Sequence, residues 1–221
     1  MNMLDIVGPV MVGPSSSHTA GAVKIGQVSR KLLAEPVAEA KIALHGSFLE
    51  TGKGHGTDKA LVAGLLGMAV DDKRIPYSFQ VAEQEGLDFS FEAVVLKEAH
   101  PNSVKMNLVG KHGKTIEIIA CSVGGGQIKI CEIDGLTVNC TGDYPTLIVH
   151  NIDQPGHVTE VTSMLAHKQV NIAAMQLYRD SRGGNAVMVL ECDQEIPEDS
   201  VHWLERLEGV IKVSYLSLAD A

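Results

Sequence analysis

From Phe89 onward the apolar residues of this chain recur at every second position. Phe89-Phe91-Ala93-Val95, Val104-Met106-Leu108 and Ile116-Ile118-Ala120 are followed by Ile128-Ile130 and Leu136-Val138. A period of two sends alternate side chains to opposite faces, so these runs predict successive strands of one sheet. Gly110-Lys111-His112-Gly113 reads as a hairpin and Asp134-Gly135 as a turn. The chain before Phe89 has a different rhythm. Ala22 to Leu33 reads as an amphipathic helix stopped at Glu35-Pro36, and Ala40 to Leu49 as a strand. Asp58 to Met68 reads as a small apolar helix, in which Gly64 and Gly67 point to close packing against a neighbour. Asp71 to Gly86 is ambiguous, with Pro76 breaking it.

Thr141-Gly142-Asp143-Tyr144-Pro145 is a breaker cluster and sets a predicted boundary between residues 1–144 and 145–221. After it the pattern reads strand (Thr146 to Asn151), turn, helix (Val158 to His167, with Val158, Val161 and Leu165 on one face) and strand (Ile172 to Arg179). A hairpin turn, a strand (Asn185 to Cys192), a helix (Pro197 to Leu207) and a final strand (Val210 to Leu218) complete it. This βαββαβ order predicts a ferredoxin-like unit. The expected class is α+β: a mixed α/β N-terminal domain, then the ferredoxin-like domain. Trp203 and Leu207, one turn apart, are expected in its core.

A net charge of −9 argues against a nucleic-acid partner, which needs a basic footprint. No apolar run reaches the length that spans a bilayer. Met1 to Val12 has no basic start and is interrupted by Asp5, so it does not read as a signal peptide. A cytoplasmic location is expected. Cys121, Cys131, Cys140 and Cys192 form no CxxC pair, and in that compartment they read as reduced and structural.

Two polar segments carry the chemistry. Gly13-Pro14-Ser15-Ser16-Ser17-His18-Thr19-Ala20-Gly21 sets three serines, a histidine and a threonine just ahead of a helix, with Ser17 or Thr19 as its expected cap. Glu50-Thr51-Gly52-Lys53-Gly54-His55-Gly56-Thr57-Asp58 repeats the design as a glycine-rich turn entering a second helix, with Thr57 as cap. Hydroxyls, an imidazole and helix N–H groups together suit a small carboxylate or phosphate. His112, His167 and His202 read as surface residues, and His45 as a strand residue.

The last third of the chain resembles the ACT family of small-molecule regulatory domains. Leu147-Ile148-Val149-His150-Asn151-Ile152-Asp153-Gln154-Pro155-Gly156 and Val170-Asn171-Ile172-Ala173 carry the likeness. It implies an amino-acid effector site at Asn151, Asp153, Gly156 and Ile172, often shared between paired domains, and so self-association. His150 and His157 flank that site. Asp153 stands where the family often has asparagine.

The chain as a whole resembles the β chain of two-chain, iron–sulfur-dependent L-serine dehydratase. Gly-Pro-Ser-Ser-Ser-His-Thr at 13–19, Gly54-His55-Gly56-Thr57-Asp58 and His100-Pro101-Asn102-Ser103, followed by the ACT-like tail, carry this. Similar N-terminal domains also occur in some phosphoglycerate dehydrogenases. The resemblance implies a lyase of amino-acid catabolism and gluconeogenesis that takes water and then ammonia from L-serine, giving pyruvate. It implies a [4Fe-4S] cluster ligated mainly by a partner α chain, and no metal ligand in this chain. A neutral histidine suits removal of the weakly acidic Cα proton near neutral pH. The catalytic candidates are His55, then His18. Ser15, Ser16, Ser17, Thr19, Thr57 and Asn102 are the candidate substrate-binding residues. The alternative readings are a non-catalytic serine sensor and a purely structural dimerisation protein.

Overall fold

The computed structural model describes residues 10–218; most of the segment read above for a signal peptide lies outside them. Two compact units divide the chain, 1–134 and 135–221. In the first, a single π-helical turn, Ser16–Ala20, runs directly into α1 (Gly21–Leu33). Ala34 then takes a left-handed conformation, and β1 (Val37–Leu44) begins just after Pro36. Next come α2 (Gly46–His55) and α3 (Thr57–Leu65), a short 3₁₀ turn at Ile75–Tyr77, and α4 (Ser78–Glu85). Strands β2 (Asp88–Ala93), β3 (Ser103–Gly110), β4 (Thr115–Gly124) and β5 (Gln127–Ile133) complete the unit. They line up as β2-β1-β3-β4-β5, with β1 and β2 parallel and the other pairs antiparallel.

The alternation after Phe89 thus forms the predicted sheet. Ile116, Ile118 and Ala120 of β4 are buried, as are Ile128 and Ile130 of β5. The strand predicted to reach Leu49 ends at Leu44 instead. Gly46 turns the chain there with φ 53°, and a Cβ on it would lie 2.6 Å from the Pro101 carbonyl oxygen. What reads as a glycine-rich loop at 50–56 is therefore mostly helix.

Helices α1 and α3 touch backbone to backbone. A Cβ on Gly64 would stand 2.1 Å from the Val23 carbonyl oxygen, and one on Gly26 would stand 2.5 Å from that of Leu61. Gly64 therefore does what its sequence position suggests. Gly67 has a different role: it follows the helix with φ 82°.

The second unit contains β6 (Leu136–Cys140), β7 (Thr146–Ile152), α5 (His157–His167), β8 (Ile172–Arg179), β9 (Asn185–Cys192), α6 (Glu198–Leu204) and β10 (Val210–Leu216). Its sheet runs β10-β7-β9-β8, every pair antiparallel, which is the ferredoxin-like order. Leu147, Val149, Met188 and Leu190 pack with Val161 and Leu165 of α5 and Leu204 of α6. Val158 is 39% exposed, off the face it was expected to share. Trp203 is not core: it is 45% exposed and lines a groove of about 650 Å³ with Thr159, Met164 and His167. The helix that carries it is short, ending at Leu204 instead of Leu207.

Glycine in a helix interior normally costs stability relative to alanine, by about 0.5–1 kcal/mol. At Gly64 the sign reverses, because the obstacle is backbone and cannot swing away. Gly64→Ala is expected to lower stability by about 1–3 kcal/mol. Urea unfolding followed by circular dichroism reads this; an unchanged or raised midpoint would contradict the helix contact.

Candidate active site

The π-helical turn places His18 inside the first unit. Ser15 is extended and its Oγ accepts the His18 N–H at 3.3 Å, so Ser15, not Ser17 or Thr19, caps the turn. Thr19 N–H donates to the Ser15 carbonyl at 2.8 Å. Ser16 supplies its carbonyl to the Gly21 N–H. His18 is only 8% exposed, and its ring packs edge-on against Phe48.

Hydroxyls surround both His18 ring nitrogens. Nδ1 faces Ser17 Oγ at 3.1 Å and Ser15 Oγ at 3.4 Å. Nε2 faces Thr51 Oγ1 at 3.0 Å and Ser47 Oγ at 3.2 Å. Thr51 settles the tautomer. Its hydroxyl donates to the Ser47 carbonyl at 2.8 Å, so its oxygen must accept from His18. Neutral His18 therefore carries its proton on Nε2 and accepts from serine hydroxyl at Nδ1. Burial lowers its pKa below the ordinary histidine value, and the neighbouring His55 lowers it further.

His55 is the last residue of α2, not a loop residue entering α3 as the sequence pattern suggested. Gly56 follows in the left-handed region, φ 71°, and ends one helix where the next begins. Thr57 is thus the first residue of α3 and not its cap. Its Oγ1 is buried without a partner among the described residues. The His55 ring is exposed and stands 4.9 Å from the His18 ring, centre to centre, at 61°. Thr19 Oγ1 donates to the His55 carbonyl at 3.4 Å. The two polar segments, 29 residues apart or more in sequence, thus meet around an imidazole pair. Ser47 and Thr51 are the members that sequence reasoning missed.

Asn102 is fastened to β4. Its Nδ2 donates to the Ser122 carbonyl at 3.5 Å, and its own carbonyl accepts the Ser122 N–H at 3.0 Å. Ser122 Oγ is buried without a partner among the described residues and lies against Gly21, where a Cβ would meet it at 2.1 Å. His45, predicted in a strand, stands at the cap of α2, with its Nδ1 3.3 Å from the Leu96 N–H.

In the second unit, Gly156 opens α5 with φ 111° and nothing within 4 Å of where a Cβ would sit. Asn151 is buried; its Nδ2 donates to the Ile152 carbonyl, while Oδ1 has no partner among the described residues. Ile172 packs against the core. Asp153 is already engaged: its Oδ2 accepts from the Gly183 N–H at 3.0 Å and Arg179 Nη1 at 2.9 Å. Those bonds hold its carboxyl below the usual carboxylate range, Gly183 contributing most.

Among the described residues no three histidine, cysteine, aspartate or glutamate side chains gather as metal ligands. The thiols of Cys121 and Cys131 approach to 3.9 Å. The side chains present therefore do not fit a [4Fe-4S] cluster, which takes at least three thiolates gathered together.

Residues 3–132 match the serine dehydratase beta chain family. That match covers more than half of the chain. The chain belongs to the serine dehydratase beta chain family. Residues 147–212 of this family member also match the family described as "AHAS small subunit-like ACT domain". A Bacillus subtilis (strain 168) relative, "Probable L-serine dehydratase, beta chain", is 38% identical over 98% of both chains. "L-serine dehydratase, beta chain" of Peptoniphilus asaccharolyticus is 39% identical over 88% of both. The D-3-phosphoglycerate dehydrogenase of Bacillus subtilis is 26% identical over 89% of this chain but 37% of its own length. Among the described residues no helix is long and apolar enough to cross a membrane.

The lowered pKa of His18 fixes a pH dependence. The folded state holds fewer protons than the unfolded chain, whose histidine titrates at about 6.5. The stability of this site is therefore complete above that value and is lost as pH falls below it. NMR titration of the His18 ring is expected to give a midpoint below the free value. His55→Gln should move it upward but not fully back, since burial is the larger cause. A midpoint at or above the free value in the unaltered protein would contradict this geometry.

Proposed function

We propose that this chain is the β subunit of an L-serine dehydratase and works only when assembled with a cluster-bearing α chain, the pair converting L-serine to pyruvate and ammonia. The observation that carries this reading is the His18–His55 pair ringed by hydroxyls, in a chain that aligns end to end with L-serine dehydratase beta chains. The [4Fe-4S] cluster is assigned to the partner, because the residues here do not fit it.

His55 is assigned as the base for the Cα proton. Its ring is exposed, and none of its nitrogens is held by a hydrogen bond among the described residues. His18 has its Nε2 proton tied to Thr51 and its Nδ1 occupied by serine hydroxyl. It stays neutral beside His55, and a second neutral imidazole places no repelling charge on a base that must gain a proton. Of Ser15 and Ser17, the hydroxyl that does not donate to His18 Nδ1 is assigned to the substrate carboxylate, and Thr19, whose proton goes to the His55 carbonyl, to holding that histidine in place.

In the second unit, Asn151 Oδ1 and the open start of α5 are assigned to an amino-acid effector. Asp153 is given the role of fastening the 153–156 turn to the hairpin at Gly183. Edge strand β8 leaves Met175 38% and Leu177 50% exposed, which supports self-association of this unit.

The test uses the assembled two-chain enzyme. His55→Ala is expected to lower kcat by about 10²–10⁴-fold at normal iron content, the usual cost of removing a general base. Asp153→Ala should shift the effector response and leave turnover unchanged. Near-normal turnover in both His55→Ala and His18→Ala would sink the assignment. Serine binding with no pyruvate from any assembled complex would favour a serine sensor.

A further inference from the structure

The sheet of the first unit carries a feature that the proposed reaction does not use. Residues Ile128, Ile130 and Ile133 of β5 are buried. Strict alternation would bury positions 128, 130 and 132. The register explains the shift: Ala120 pairs with Ile130 and Ile119 with Glu132, which leaves Cys131 as the extra residue of a β-bulge. Ile128 and Ile130 face the core, so Lys129 and Cys131 lie on the opposite sheet face, the face of Cys121, whose direct partner on β5 is Lys129. The two sulfurs stand 3.9 Å apart.

We propose that Cys121 and Cys131 are a modification site: a dithiol that low-molecular-weight disulfides such as oxidised glutathione convert reversibly to a cross-strand disulfide. Bonded sulfurs lie about 2.05 Å apart, so closure needs a movement of roughly 2 Å, within reach of side-chain rotation and slight strand adjustment at a bulge. The thiols differ in readiness. Cys131 is partly exposed and Cys121 buried. The Cys121 thiol as donor and the nearby Lys129 charge bring Cys131 down to about 7, while the same pairing and burial push Cys121 well up. Cys131 is therefore the attacking thiolate.

The exchange balances in two steps. Cys131 thiolate attacks one glutathione sulfur, the glutathione S–S bond breaks, and one glutathione thiolate leaves. Cys121, losing its proton to solvent, attacks the Cys131 sulfur and expels the second glutathione. Two protein thiols are oxidised, and one small disulfide is reduced to two thiols.

The experiment treats the purified full chain with oxidised glutathione near neutral pH, alkylates it in denaturant, and maps the products by mass. The expected result is a loss of about 2 Da confined to a Cys121–Cys131 link and reversed by dithiothreitol. Cys140 and Cys192 should be alkylated; burial raises Cys192 to about 11. Cys121→Ser should trap glutathione on Cys131, and Cys131→Ser should slow modification of Cys121 by tenfold or more. A stable glutathione adduct on Cys131 of the unaltered chain would overturn the proposal. So would a link involving Cys140 or Cys192, or four free thiols after treatment.

Discussion

The contact on which the rest depends is the one between two helix backbones, at Gly26 and Gly64. His18 lies eight residues before Gly26, and His55 nine before Gly64. His18 sits on the turn that runs into α1, and His55 ends α2 with only Gly56 between it and the start of α3. Helices that touch there without side chains between them bring their starts together, and the two imidazoles meet at 4.9 Å. Any Cβ at the crossing separates the helices, and separation at the crossing reaches the site.

What this contact creates is a pair of histidines with unequal surroundings. His18 is wrapped: hydroxyls on both nitrogens, Phe48 on its ring, and burial favouring its neutral form. His55 is exposed beyond it, with its carbonyl held by Thr19. The same residue type thus offers one fixed, neutral ring and one open ring. This asymmetry comes from which helix end each occupies, since α1 continues the turn bearing His18 while α2 ends at His55.

Much of the second unit was readable because the sequence pattern and the turn residues agree along four of its elements. β7, α5, β8 and β9 fall within a residue or so of their predicted bounds. Segment 46–55 was not readable in the same way. Three glycines among Gly52, Gly54 and Gly56, together with the apolar run through Leu49, disguise a helix that is held by tertiary contacts. Phe48 is fully buried, and Gly52 packs on Thr57. Had it been read as a helix, Ser47, Thr51 and His55 would have shown themselves at i, i+4 and i+8, one face of α2. That spacing is the signal for the two missed hydroxyls. Trp203 failed for another reason: α6 is a helix of seven residues with one core-facing turn, and the tryptophan falls on its outer side.

The role proposed for His55 is removal of the serine Cα proton, and a deuterium isotope effect tests it directly. The assembled enzyme would be compared on L-serine and L-serine deuterated at Cα, with and without His55→Ala. A base removed from that step makes C–H cleavage slower relative to every other step. The isotope effect on kcat/KM is therefore expected to rise in His55→Ala as turnover falls. Slower turnover with an unchanged isotope effect would contradict this role, because His55 would then serve a step other than C–H cleavage.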